Sequence, residues 1–268
     1  MASSLVPDYE VKLLLKPSIV LGSNNKLNDT VLSTFSMGSS VKKMVIQFLD
    51  TQEQDIFKNG WILRIRRSEG EDEFELTYKK RYATNDGLKK EDAADKGIKE
   101  RIDTAIKKAQ NDGFDSSTSF EAQIEWGYHT QTLSLSHSDS YPDSGFIALS
   151  LPDQGTSRKL LTSKAPGKFT TWSNGTWATE QLNASRIYGP VLAKRSKGKW
   201  DGEKLTIEIW EIKNGTDSGM EYFVEASFKV ATLAVAQEKS KKLADFLQSK
   251  GWLLPEDSLK TSLIMKRY

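Results

Sequence analysis

Six stretches of this sequence alternate residue by residue between an apolar and a polar face, and several of the polar faces carry charge of one sign. A two-residue period marks a β-strand, whose successive side chains point to opposite sides of a sheet. In residues 61–67 (WILRIRR) the face that holds Ile62 also holds Arg64 and Arg66. In 74–80, Glu75, Thr77 and Lys79 oppose Phe74, Leu76 and Tyr78. In 120–126, Glu121, Gln123 and Glu125 oppose Ala122, Ile124 and Trp126. Asp8, Glu10 and Lys12 share a face near the N-terminus. Thr206, Glu208 and Trp210 share one in 204–213, and Glu225 and Ser227 share one in 220–230.

Residues 42–50 (KKMVIQFLD) and 187–195 complete eight expected strands. Residues 61–67 and 74–80 form a hairpin across SEGEDE, and the stretches KGKWDGE and KNGTDSG read as turns. Thr51 and Gln54 have capping-box spacing, so 52–59 is expected to be a short helix closed by Gly60. Helical periodicity runs through 89–111 (Ile98, Ile102, Ala105, Ala109) and 233–250 (Leu243, Phe246, Leu247). Residues 127–185, rich in Ser, Thr, Gly and Asp, fit no single period and read as a divergent insertion. No repeat or low-complexity linker divides the chain, so residues 1–268 are expected to form a single β-rich α+β domain.

Charged faces on solvated strands should mix Lys and Glu freely. Walls of one sign instead suggest a closed sheet with its charged faces inward and its apolar faces covered by helices. An antiparallel barrel of eight strands encloses a lumen of this kind. Buried cations need an anion of matching charge, and Arg suits phosphate because its planar fork bonds two oxygens. The chain has no Cys and two His (His129 and His137), which removes thiolate and His-rich metal sites. Clustered carboxylates suit Mg²⁺ or Mn²⁺, hard ions that share ligands with substrate phosphates. A formal charge of +2 argues against nucleic acid as a partner. No apolar run is long enough for a signal peptide or a membrane span, so a cytoplasmic location is expected, and Asn-x-Ser/Thr triplets such as Asn28 and Asn174 are chance matches.

These residues resemble a known family. Asp8-x-Glu10-x-Lys12 resembles the ExExK signature of the CYTH, or triphosphate tunnel metalloenzyme, superfamily. QFLDTQEQDIFKNGWILRIRR resembles its segment with paired arginines, here Arg64 and Arg66, and ELTYKK its next strand, with Lys79. FEAQIEW, LTIEIWEI and YFVEASFKV resemble its later acidic strands, with Glu121, Glu125, Glu208 and Glu225, while Lys194 and Arg195 fall where the family has further basic residues. The order and spacing match over residues 8–80 and more loosely over 187–230. The chain departs in Asp8 for the first Glu and in Ser227 for a late Glu.

The resemblance implies an eight-stranded antiparallel tunnel and a metal-dependent hydrolase of a nucleoside, thiamine or inorganic triphosphate. Glu10 and Lys12 are then the catalytic pair, and Lys12, Arg64, Arg66, Lys79, Lys194 and Arg195 bind substrate. Asp8, Glu10, Glu121, Glu125, Glu208 and Glu225 hold Mg²⁺ or Mn²⁺. Two alternatives stay open. One is a repurposed barrel that binds, cyclises or isomerises an organic molecule, with Trp172, Trp177 and Trp200 capping a mouth or reshaping the pocket. The other is a non-catalytic polyphosphate binder. The oligomeric state is not fixed by the sequence.

Overall fold

The computed structural model describes residues 5–84, 97–215, 219–257 and 260–268. Nine strands close into a barrel. They are β1 (Asp8–Leu15), β2 (Lys42–Asp50), β3 (Trp61–Ser68), β4 (Glu73–Ala83), β5 (Glu121–Trp126), β6 (Gln131–Pro142), β7 (Arg186–Trp200), β8 (Glu203–Lys213) and β9 (Met220–Val230). Neighbours run β1-β5-β6-β4-β3-β2-β7-β8-β9, and β9 pairs back with β1 to close the ring. A short β10 (Leu253–Leu254) pairs with the end of β1.

The expected eight-stranded antiparallel barrel is corrected in two linked respects. The ninth strand is β6, inside the segment 127–185 that read as an insertion. Its inward face carries Thr132, Ser134, Ser136, Ser138 and Ser140, so its alternation was hidden by hydroxyls. An odd number of strands cannot alternate in direction all the way round, so one neighbouring pair must be parallel. That pair is β1 with β5, where Glu10 lies opposite Glu125, and the other eight pairings are antiparallel.

Nine helices are described: α1 (Pro17–Val20), α2 (Asp29–Thr34), α3 (Asp55–Lys58), α4 (Ile98–Asn111), α5 (Gln154–Ser163), α6 (Gly167–Thr170), α7 (Trp177–Ala184), α8 (Leu233–Ser249) and α9 (Lys260–Arg267). Residues 89–96 of the expected 89–111 helix lie outside the described residues. The helix expected over 52–59 starts later, at Asp55, because Gln54 is left-handed (φ 60°). Asp50 caps it: its carboxylate accepts from the backbone N–H groups of Ile56 (2.9 Å), Phe57 (2.8 Å) and Thr51 (2.7 Å).

The turn expected at KGKWDGE shrinks to Asp201 and Gly202, both at positive φ (48° and 83°) as a two-residue hairpin requires. Strand β7 therefore runs on past Gly198, where a Cβ would stand 2.2 Å from the Phe35 carbonyl oxygen. That bare backbone lets the end of α2 dock on the barrel, with the Lys199 N–H donating to Phe35 O (2.7 Å).

The outward faces of the strands and the inner faces of the helices form one core. Tyr9, Val11, Leu13, Leu63, Ile65, Leu76, Tyr78 and Ile124 meet Leu243 and Leu247 of α8 and Ala105 and Ala109 of α4 there. Burying these faces against helices is what leaves the charged faces inward. A second apolar cluster lies within the barrel: Met44, Ile46 and Phe48 of β2, Ile62 of β3, Val191 of β7 and Trp210 of β8 close on Ile264 and Met265 of α9. The C-terminal helix thus fills one side of the lumen. Trp172, Trp177 and Trp200 pack against the outer core and line no part of the lumen cavity. No described helix is long and apolar enough to cross a membrane.

Candidate active site in the barrel lumen

The lumen holds a cavity of about 430 Å³ lined by the inward residues of eight elements. A smaller extension of about 180 Å³ shares Lys12, Arg81, Glu225 and Lys260 with it. The β3 and β4 walls are basic. Arg64 donates to Glu75 (2.7 Å) and to Thr77 Oγ1 (2.9 Å), and Arg66 pairs with the other oxygen of Glu75. Glu75 therefore holds two arginines side by side that would otherwise repel each other. Burial and the neighbouring Arg66 lower the Arg64 pKa, while Glu75 opposes both.

On the adjoining wall one carboxylate gathers three cations. Glu125 is 2.8 Å from Lys79, 3.0 Å from Arg81 and 3.5 Å from Lys12. Burial alone would raise its pKa, but Arg81, Lys12 and Lys79 outweigh burial and hold it well below the usual carboxylate range. Lys12 also pairs with Glu10 at 2.9 Å. Burial disfavours its charge, yet Glu125, Glu10 and Glu225 together raise its pKa, so Lys12 stays an ammonium at any working pH. Lys79 behaves differently. Burial dominates, with Lys12 and Arg81 adding repulsion, and its pKa is lowered to about 8.

The β7–β8–β9 wall is mixed. Arg195 binds Glu208 through Nε (2.8 Å) and Nη2 (2.6 Å), and the Trp210 indole N–H donates to the same carboxylate (2.8 Å). Burial would raise Glu208, but Lys260 and Arg195 lower it to about 2. Glu225 faces Glu208 across the β8–β9 ladder, and Lys260 of α9 reaches Glu225 at 2.8 Å and Glu208 at 3.6 Å.

The structure brings together Glu10, Lys12, Arg64, Arg66, Lys79, Arg195, Glu208 and Glu225 around one cavity, with Glu125 at its extension. It does not bring in the rest. Asp8 and Glu121 are exposed and line a separate depression at a barrel mouth, reached from the lumen side by Lys229. Lys194 pairs in register with Ile209, an outer-core residue, so it lies on the face away from the lumen. Three lumen cations escaped the sequence reading. Arg81 extends an alternation whose strand is longer than expected, and Lys229 shares the face of Glu225 and Ser227 within the expected strand 220–230, so the signal was present for both. Lys260 comes from a helix that carries no inward-charge pattern of its own.

Eight cations (Lys12, Arg64, Arg66, Lys79, Arg81, Arg195, Lys229 and Lys260) thus meet six carboxylates (Glu10, Glu75, Glu125, Glu208, Glu225 and Asp257), an excess of two positive charges. The Nε–H groups of Arg64, Arg66 and Arg81 are buried without an acceptor, and one carboxylate oxygen, Glu225 Oε2, is buried without a donor. The surplus of cations lining the cavity suits this lumen to an oxyanion. Among the described residues, no three His, Cys, Asp or Glu converge as an all-protein metal cage. The donor set fits a hard divalent ion only where phosphate oxygens complete its shell, with the orphaned Glu225 oxygen as its protein anchor.

No family model matches this chain, and no curated protein does. Solved structures do match. A Hippeastrum protein, described as an adenylyl cyclase with a dominant triphosphatase activity, is 12% identical over 97% of this chain and 96% of its own, with a TM-score of 0.57. A Bacillus halodurans protein described as an adenylate cyclase shares 12% identity over 98% of both chains at a TM-score of 0.49. A Pyrococcus horikoshii protein shares 16% over 97% of this chain and 100% of its own at 0.43. At these identities the likeness is one of fold, and the chain has the fold of the CYTH-like tunnel proteins that its motifs resemble.

Proposed function

We propose that the barrel is a metal-dependent hydrolase of a triphosphate-bearing small molecule. The observation that carries this reading is a lumen cavity of about 430 Å³ lined by Arg64, Arg66, Arg81 and Arg195 and carrying surplus positive charge. A triphosphate offers oxygens to each fork and charge to offset the surplus. Phosphoryl transfer is catalysed chiefly by positioning and charge stabilisation, which is what this lumen supplies.

In this reading Arg64, Arg66 and Arg81 grip phosphate oxygens from the cavity wall, with Glu75 and Glu125 keeping the forks oriented. Lys12 supplies a permanent positive charge beside the reacting phosphate and does not act as a proton donor. Glu10, 2.9 Å from the Lys12 ammonium, orients the attacking water. Glu225, through its unpartnered oxygen, and Glu10 would hold Mg²⁺ or Mn²⁺ that arrives with the substrate; when bound, the ion neutralises charge on the phosphate oxygens. Phe48, Ile62 and Trp210 form an apolar stretch of the same cavity wall, which favours an organic triphosphate over the inorganic one.

The test is phosphate release from nucleoside, thiamine and inorganic triphosphates with Mg²⁺ or Mn²⁺. Release that stops with EDTA and returns with added metal is expected. No release from any of the panel with either ion would overturn the reading.

A further inference from the structure

We infer that Lys260 is a tethered cation standing in for a metal ion at the Glu208–Glu225 pair, and that removing it opens a divalent-cation site there. Glu208 and Glu225 are direct partners across β8 and β9, both turned into the lumen. Like charges directly opposite on adjacent strands repel, and more strongly when desolvated. The β7 strand supplies Arg195 to Glu208, but the barrel strands supply no cation to Glu225 within ion-pair distance.

The missing charge comes from outside the barrel. Lys260, the first residue of α9, places its ammonium 2.8 Å from Glu225 and 3.6 Å from Glu208. The ammonium also sits over the Trp210 ring, 4.5 Å from its centroid, so three groups fix it. Behind it, Ile264 and Met265 anchor the helix in the inner apolar cluster. A lysine ammonium is a compact single charge with N–H donors only. It leaves Glu225 Oε2 buried without a partner, so the pair is held but not fully satisfied. A divalent ion with oxygen affinity would take both carboxylates, and Lys260 occupies the space between them. The chain is therefore built to bind its ion together with phosphate and not beforehand.

The experiment is Mn²⁺ binding followed by electron paramagnetic resonance and by thermal unfolding, without any phosphate compound. Wild type is expected to bind Mn²⁺ weakly and to unfold at the same temperature with and without it. Lys260→Met is expected to unfold earlier in EDTA, to bind Mn²⁺ about tenfold more tightly or better, and to regain thermal stability when Mn²⁺ is added. Lys260→Arg, which keeps the charge, should gain no site, and Lys260→Met/Glu225→Gln should lose it.

Unchanged Mn²⁺ affinity in folded Lys260→Met, tight Mn²⁺ binding by wild type, or an equal gain in Lys260→Arg would each overturn the inference. If Lys260→Met does not fold, Lys260→Gln carries the same expectation. The inference shares its cavity with the hydrolase reading but fails separately. Wild-type phosphate release with no gained site in Lys260→Met sinks only the inference, and the reverse pattern sinks only the hydrolase.

Discussion

The Lys79 ammonium lies 2.8 Å from the Glu125 carboxylate, although the two residues are 46 positions apart and their strands are not neighbours. Strand β6 separates them, and its small inward hydroxyl residues leave room for the long side chains to meet above it. The Ser-rich strand is thus a spacer that permits the densest charge cluster in the lumen.

Glu125→Gln should be destabilising, because it leaves Lys79 and Arg81 without a carboxylate and Lys12 with Glu10 alone. Breaking a buried pair costs about 3–5 kcal/mol, and the lower end is expected here because the Glu125 side chain keeps 11% of its exposure. A urea midpoint unchanged from wild type would refute the role given to Glu125.

Triphosphate affinity should fall as pH rises through about 8, where Lys79 loses its charge in the free protein. The substrate is fully ionised by then, so the loss belongs to the protein. Lys79→Met should bind more weakly and show a flatter profile. The linkage to stability has the opposite sign: the folded pKa lies below the ordinary 10.5, so the charged form costs stability at neutral pH. That cost is relieved as pH rises between about 8 and 10.5, because the unfolded chain binds more protons across this window.

Arg64→Ala should weaken triphosphate binding by about ten- to a hundredfold, the cost of a charged hydrogen-bonding group. Arg64→Lys should recover only part of it, since a point charge cannot replace a fork that also spans Glu75 and Thr77. Lys194→Ala, on the outward face, should bind as wild type does. Equal losses from Arg64→Ala and Lys194→Ala in titration calorimetry would contradict the facing of β3 and β7.

Asp50→Ala should lower stability by about 2 kcal/mol, the upper end for a helix cap, because three backbone N–H groups lose one buried acceptor. Because α3 leads into the strand that carries Arg64 and Arg66, substrate affinity should fall with it. Chemical denaturation and binding measured on the same variant check both.

The alternation of Ile62, Arg64 and Arg66 against Trp61, Leu63 and Ile65 was enough to establish strands with a charged inner face. Side-chain direction in a strand depends only on residue parity, which is local. The same parity placed Glu75, Thr77 and Lys79 together, and Glu10 with Lys12. Strand pairing decided the rest. Ser134 and Ser136 acquire a face only once β6 lies between β4 and β5, and the odd strand count then forces β1 parallel to β5. Whether a charged residue such as Lys194 or Arg195 looks inward depends on one position of register that both neighbouring strands must agree on. Lys260 reaches the lumen because Ile264 and Met265 find an apolar cluster assembled from distant strands. The sequence alone determined which residues share a face, because that is a property of the chain's geometry. Tertiary structure alone decided which faces meet and which charges neutralise one another, because those pairings join residues far apart along the chain.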